Sequence, residues 1–543
     1  MERDLLRQEL QAELVAMMSG FKERTVGYVG LAGIYASFLL VALYGRAVPM
    51  ADDAAIGFRY VEQILAGHGV VYNEAGPHVY GASALPYVFV LAGIRMLGVP
   101  MDVAALIVNC VSLAAVVVLL YGLLRSSFDI SGVIPSWALA LVPCVVALTQ
   151  GEVLIWVTQG LESGFHLLLC VAAIWAYDRR REELCAGFLA LALMDKLDAL
   201  SLWGAIGLVH VARERRFPLR LFTMAVIAYL PWLVGTTLYF GSPVPMSMQA
   251  KLLQEFSAAG HQFVGHYRDL WEIVAVALAA PLVLRRPFVL IMAGWFVLYV
   301  LMYDGIAREG AAPWYFFPSD FTIFALCGMT FAGLLQASIG KMSRWRSTGM
   351  PRLWSARLLA AVGTCALLVG CVFSDLRTAR SALGAMRQYA NHVEQDRVDI
   401  GMFIREQADP AETVFSGHGW IQYLSRLRVY DASGLNDPEV VERRRALMRS
   451  VHHSSLDDLT DAERTMVRHE ESAYLTLHVP TYLVGHAYVP PDDIVNDYVL
   501  VASFTRTNLV TDWPNWNLWA RRDSAAVRRL EHRNLPLIFP EQP

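Results

Sequence analysis

The chain has 543 residues, 55% of them hydrophobic and only 17% charged, with a mean hydropathy of +0.40, which excludes an ordinary soluble enzyme of this length and points to a polytopic membrane protein. Net charge is −4 at a sequence pI of ≈ 6.4, and no Lys/Arg-rich tract exceeds a short loop, so nucleic acid is not a partner and the basic residues serve topology. The seven cysteines all fall within apolar runs, with no CxxC pair and no zinc-type spacing, so the polar segments carry neither a disulfide nor a thiolate metal site.

Residues 1–25, "MERDLLRQELQAELVAMMSGFKERT", place Leu6, Leu10 and Leu14 on one helical face and read as an amphipathic helix on the inner leaflet. Apolar runs of spanning character follow at roughly 26–48, 103–124, 134–150, 162–178, 183–199, 200–212, 219–240, 270–285, 287–303, 315–337 and 355–374, about eleven in all. The first is followed by Arg46 and Pro49 without a small-residue cleavage site and reads as an uncleaved signal anchor. With the N-terminus inside, "LLRSS", "YDRRREE", "RERRFPLR", "LRRPF" and "KMSRWRSTGMPRLWSAR" fall on the interior side and hold most of the loop Arg and Lys. The stretch 84–98, bounded by Pro86 and Pro100, reads as an interfacial or hairpin helix. The expected fold is thus an α-helical transmembrane module over 26–374, with a long outward loop at 49–102.

From about residue 375 the apolar runs stop. Amphipathic patterns near 380–407, 437–451 and 461–472 alternate with the short β-rich runs "TVFSG", "RVYDAS", "TYLVGH", "DYVLVASF" and "NWNLWARR", predicting an outward α/β domain over 375–543. The closely spaced tryptophans of "TDWPNWNLWARR" suit strand packing more than a carbohydrate surface.

Polar residues gather in the outward connections. Asp52 and Asp53 stand at the edge of hydrocarbon, and a helix starting there brings Ile56, Arg59, Tyr60 and Gln63 onto or near one face, with the macrodipole favouring ionised carboxylates. The following "AGHGVVYNEAGPHVYG" has the composition of a shaped turn. Trp314 and Tyr315 in "EGAAPWYFFPSD" read as an interfacial aromatic belt.

The segment "DDAAIGFRYVEQILAGHGVVYN" resembles the first outward loop of polytopic GT-C glycosyltransferases, in the branch of mycobacterial-type arabinofuranosyltransferases, whose members read D-D-x-x-I-x-x-R-Y and then G-x-G-L-V-x-N. In the same order, "WVTQGLESGFHLLL" resembles the branch's S-G-[LM]-E-T segment at Glu162, and "YFGSPVPMSMQAKL" its Y-x-G-S-P segment with a closing A-K at Lys251. "RVYDASGLNDPEV" resembles a recurrent segment of its C-terminal domain. Two places depart: "MDKLDAL" keeps a cation and an acid, Lys196 and Asp198, but loses a proline, and "HVYGASALPY" loses a glutamate, which leaves substrate identity open.

The resemblance implies transfer of a sugar such as arabinofuranose from a polyprenyl-phosphate donor to a cell-envelope glycan or glycolipid at the outer face of a bacterial plasma membrane, commonly with inversion. Such chemistry needs a base at the acceptor hydroxyl and positive charge at the departing phosphate. Asp52, preferred over Asp53, is the expected base. Lys251 and Arg59 are the expected phosphate ligands with Arg268 and His68 behind them, and Tyr60, Glu162, Lys196 and Asp198 the expected substrate contacts. Two carboxylates can hold a divalent cation, but without a further acidic cluster nearby, action without metal or cofactor is favoured. The alternative class is a transporter or flippase for a lipid-linked or envelope substrate, which paired half-repeats and charges near the bilayer midplane would signal.

Overall fold

The computed structural model describes residues 25–128, 134–253, 262–307, 313–345, 377, 379–448, 460–486, 488–504 and 516–533. The expected amphipathic helix at 1–25 and the apolar run at 355–374 lie outside them. Five helices among the described residues are long and apolar enough to cross a bilayer: Thr25–Gly45, Met101–Arg125, Leu219–Phe240, Pro287–Gly305 and Pro313–Ser338. The protein is a multi-pass membrane protein.

Eleven spans are not what the described helices support. The runs at 134–150, 162–178 and 270–285 do form helices, Ser136–Leu148, Ser163–Asp178 and Trp271–Val283, yet these fall short of spanning length. At about 1.5 Å per residue they reach only part of a hydrocarbon core about 30 Å thick. A hydropathy window runs through polar breaks that the backbone does not. At "MDKLDAL" the helix Glu182–Asp195 stops, Lys196 is extended at φ −146° and ψ 136°, and the chain resumes as Leu200–Glu214. Non-helical backbone at such a place is tolerated where it lines a cavity, and Lys196 does so. The stretch 84–98 forms the helix Leu85–Met96, again too short to span alone.

Among the described residues the C-terminal unit forms a five-stranded mixed sheet of order β2-β1-β3-β5-β4, with β1 Thr413–Ser416, β2 Arg428–Asp431, β3 Tyr482–His486, β4 Tyr498–Phe504 and β5 Trp516–Arg521. Each strand coincides with one of the β-rich runs, where branched and aromatic side chains favour the pleated backbone. β1 pairs in parallel with β2 and β3, and β5 lies antiparallel between β3 and β4. Trp516 and Trp519 pack into the sheet's two faces as strand core. One face, through Val414, Val429 and Val484, joins the same apolar core as the membrane helices, whereas Phe415, Leu483 and Trp519 pack beneath the helices Pro438–Met448 and Asp461–His478. The second of these starts at a capping box between Thr460 and Glu463, which satisfies two backbone donors at once.

The sheet meets the membrane module through the helix Gly419–Ser425, packed on Asp52–Leu65. Approach is close enough that a Cβ at Gly419 would overlap the Asp52 carbonyl. Gly419→Ala is therefore expected to destabilise the protein by about 1–3 kcal/mol through overpacking. Gly417→Ala, whose Cβ would meet nothing nearer than 3.4 Å, is the control expected to stay neutral. Thermal unfolding of the purified variants distinguishes them.

Candidate active site

Asp52 begins its helix but faces the C-terminal unit. Its Oδ2 and Oδ1 accept the backbone N–H groups of Gly419 and Trp420, each at 2.9 Å, so the carboxylate caps the helix Gly419–Ser425 from a distant part of the chain. Arg397 Nη1 stands 3.6 Å away and His418 Nδ1 3.8 Å away. Burial pushes the Asp52 carboxyl up, but Arg397, His418 and the Trp420 N–H outweigh it and hold the group well below the usual carboxylate range. A carboxylate held that way is a poor proton acceptor. Asp52, the expected base, is tied to the C-terminal unit and does not line the chamber described below.

Arg59 and Tyr60 also leave the expected site. The Arg59 guanidinium is buried and donates to the carbonyls of Tyr72 (Nε, 2.8 Å), Gln422 (Nη1) and Leu427 (Nη2, 2.8 Å) and to Asn73 Oδ1 (3.0 Å). Four of its five N–H bonds are thus taken up by protein acceptors, and Arg59 lines neither the chamber nor the cavity described next. Asn73 in turn pairs with β2, its Nδ2 donating to the Val429 carbonyl at 2.9 Å and its Oδ1 accepting the Val429 N–H at 2.8 Å. The Tyr60 hydroxyl donates toward the Val79 carbonyl at 2.9 Å, accepts the Gly81 N–H at 3.1 Å and lies 3.0 Å from Asn436 Oδ1. His68 contacts Gln63 and Glu74, and Arg268 is exposed beside Asp269; neither lines the chamber or cavity described next. Their positions in the chain do not translate into proximity.

The remaining candidates converge. Asp53, next along the helix and about 100° round it, lines a small chamber of ≈ 100 Å³ with Glu162, Lys196, Lys251 and Tyr315. Among the described residues none donates a hydrogen bond to the Asp53 carboxylate. Burial raises its pKa above the ordinary value, with Lys251 opposing and Asp52 adding to the rise. The Lys196 ammonium is 2.6 Å from Glu162 Oε1 and 5.3 Å from the Tyr315 ring centroid. Lys251 Nζ lies 5.0 Å from the same centroid and donates to the Tyr315 hydroxyl. Two cations thus share one phenol ring, an arrangement that cation–π attraction favours.

Ser83, Lys196, Ser247, Lys251 and Tyr315 also line a second, larger cavity of ≈ 650 Å³, so chamber and cavity meet at the lysines. The larger cavity is walled by apolar side chains including Leu200, Leu298 and Leu301, of which Leu200 and Leu301 are more than half exposed on the surface of the helical module. Asp198 lines it too, accepting the Tyr303 hydroxyl at 2.9 Å.

Sequence reading passed over two residues here. Tyr315, taken for an interfacial belt, sits between the two lysines because the turn Pro313–Phe316 folds inward. His166 is buried between two carboxylates, with Nδ1 3.1 Å from Asp195 and Nε2 3.0 Å from Asp198. It pins both ends of the break that projects Lys196. The available signal was its spacing of four from Glu162, one helical turn along the same face.

A family model described as a domain of unknown function, DUF8728, matches residues 385–525. No curated protein sequence matches the chain. Among solved structures, ArnT from Cupriavidus metallidurans in the apo state is similar at a TM-score of 0.55 and 14% identity, over 91% of this chain and 98% of that one. ArnT bound to undecaprenyl phosphate is similar at 0.54 and 13%, with the same coverage. The fold is GT-C-like. Arabinofuranosyltransferase AftD from Mycobacteria aligns at a TM-score of 0.40 and 13% identity, over 91% of this chain and 40% of its own.

The different jobs of the adjacent aspartates are separable. Asp52→Asn leaves one of two buried N–H groups without an acceptor and is expected to cost about 1–3 kcal/mol, seen as a lower Tm. Asp53→Asn removes no hydrogen bond and a like-charge neighbour, so its Tm is expected to stay level or rise. An unchanged Tm in Asp52→Asn would remove the docking role.

Proposed function

We propose that this protein is a membrane glycosyltransferase that moves a sugar from a polyprenyl-phosphate donor to a hydroxyl of an envelope glycan or glycolipid on the extracytoplasmic face, with inversion. One observation carries the reading: Lys196 and Lys251 stand at the seam between an apolar cavity reaching the lipid-facing surface and a chamber lined by Asp53 and Glu162. A lipid phosphate has that division of character. Its chain fits the apolar cavity, its phosphate the lysines, and its sugar the chamber. The similarity in fold to a protein bound to undecaprenyl phosphate supports the same ligand class.

In the proposed reaction the acceptor hydroxyl attacks the anomeric carbon while the bond from that carbon to the phosphate oxygen breaks. The electron pair leaves with polyprenyl phosphate, and the hydroxyl proton passes to Asp53. The Lys196 and Lys251 ammonium groups and the Tyr315 hydroxyl stabilise charge as it gathers on the departing phosphate, where preformed donors in a dry site act most strongly. Glu162 holds Lys196 in place, and His166 with Asp195 and Asp198 holds the backbone that carries it. A raised pKa makes Asp53 the better base of the pair, provided it is ionised. Arabinofuranose is the first candidate sugar, on the motif resemblance.

The test is to incubate the purified protein in nanodiscs with several polyprenyl-phosphate sugars, the arabinofuranosyl donor among them, and measure released polyprenyl phosphate. Asp53→Asn is expected to lower turnover by roughly 10²–10⁴-fold, the contribution of a positioned base, while Lys251→Ala raises the donor KM. Because the ionised form is the active one and burial raises the Asp53 pKa, wild-type turnover should fall as pH drops, with its inflection above the ordinary value of 3.8. Release from none of the donors would overturn the reading.

A further inference from the structure

The C-terminal sheet holds another cavity, of ≈ 350 Å³, that the transfer chemistry leaves unused. Strand order explains it. From β1 the chain passes through Gly419–Ser425 to β2 on one side, and from β2 it passes by Pro438–Met448 and Asp461–His478 to β3 on the other. The parallel strands β1 and β3 are therefore neighbours whose connections diverge, and such a switch point opens a crevice at the carboxyl ends of the strands, where doubly wound sheets take ligands. The cavity lies there, between Gly417 and His418 after β1, Gly485 in β3, and the two helices over that face.

The lining narrows the ligand. Sheets of this kind often seat a phosphate on the helix that follows the first strand, but here the Gly419 and Trp420 N–H groups already serve Asp52. Charge in the cavity cancels, with Arg443 and Arg444 against Glu470 and Glu471. Arg444 is committed to the Ala432 and Ser433 carbonyls at 2.6 and 2.8 Å, and Glu471 accepts the Tyr488 hydroxyl at 2.8 Å. At the rim, Glu439 holds Arg443, with Nε and Nη2 each 2.9 Å from its Oε1, while Arg443 Nη1 and Glu470 Oε2 are 3.5 Å apart, a contact long enough to yield to ligand hydroxyls, and the guanidinium lies over the Tyr474 ring at 5.9 Å. Planar donors and acceptors of balanced charge beside tyrosine rings suit a neutral polyhydroxylated molecule. The volume lies within the usual range for small-molecule sites. Ala432 and Ser433 line this cavity while Leu435, in the same turn, lines the chamber of Asp53.

We propose that this cavity binds a neutral sugar residue of the acceptor glycan; the word acceptor rests on the transfer reaction proposed above, the sugar binding does not. The experiment is saturation-transfer NMR on the full chain in nanodiscs with methyl arabinofuranoside, methyl galactofuranoside and methyl mannopyranoside, against glucuronate and inorganic phosphate, with a tetrasaccharide of whichever sugar binds. At least one neutral glycoside should bind, the tetrasaccharide more tightly. Val467→Trp, which fills the cavity from its rim, and Glu470→Ala should each weaken binding by about 10-fold or more, as for a residue at the centre of a contact, with donor consumption in the absence of acceptor unchanged. Preference for glucuronate or phosphate, undiminished binding in Val467→Trp, or no neutral glycoside bound by protein of wild-type Tm overturns the site. A tetrasaccharide no tighter than the monosaccharide overturns its assignment to a glycan. Sugar binding by a protein that consumes no donor supports the cavity and overturns the transfer reaction instead.

Discussion

Everything at the candidate site depends on one helix being held against one sheet. Asp52 and Arg59 are seven residues apart, about two turns, and so share a face of the helix Asp52–Leu65. That face is spent on the seam with the C-terminal unit: the carboxylate on two of its N–H groups, and the guanidinium on the Gln422 and Leu427 carbonyls together with the Tyr72 carbonyl and Asn73 Oδ1 of the preceding loop. Every charge on it is paid by a geometrically suitable partner, as buried charges require. With that face fixed, the next residue, Asp53, has only the chamber to point into.

The chamber itself is a problem in charge burial. Two ammonium groups and two carboxylates occupy a small space beside apolar walls, where isolated ions would be costly and paired ones persist. Lys196 is paired with Glu162, and Lys251 donates to the Tyr315 hydroxyl among its contacts. The result is a seam at which both ammonium groups reach the apolar cavity, with Asp53 and Glu162 on the chamber side and Asp198 held on the cavity side by His166 and the Tyr303 hydroxyl. A ligand with a negative group at the end of a hydrocarbon chain meets the complementary sign at the depth its own shape dictates.

The C-terminal unit does two jobs with its two faces. One closes the chamber by merging with the core of the membrane module, and the other, beneath Pro438–Met448 and Asp461–His478, encloses a separate cavity. The short helix after β1 belongs to the first job, which is why its N-terminus is not available to the second.

Composition and periodicity alone determined that the protein lives in a membrane, that its character changes near residue 375, and where all five strands lie, because hydropathy and β-propensity are local properties that survive without a fold. The motifs also singled out Asp53, Glu162, Lys196, Asp198 and Lys251, which line the adjoining chamber and cavity, because each stands at or near a break between helices where polar side chains are grouped. What local pattern could not decide was orientation. Asp52 and Asp53 are indistinguishable in sequence, and Arg59 looks as apt for phosphate as Lys251 until the sheet supplies the carbonyls that consume it. Tyr315 and His166 were equally hidden, the first by an inward turn and the second by its isolation in an apolar run. Tertiary packing settles such cases because a charged side chain takes the nearest complete set of partners, and that set is assembled here from segments more than three hundred residues apart.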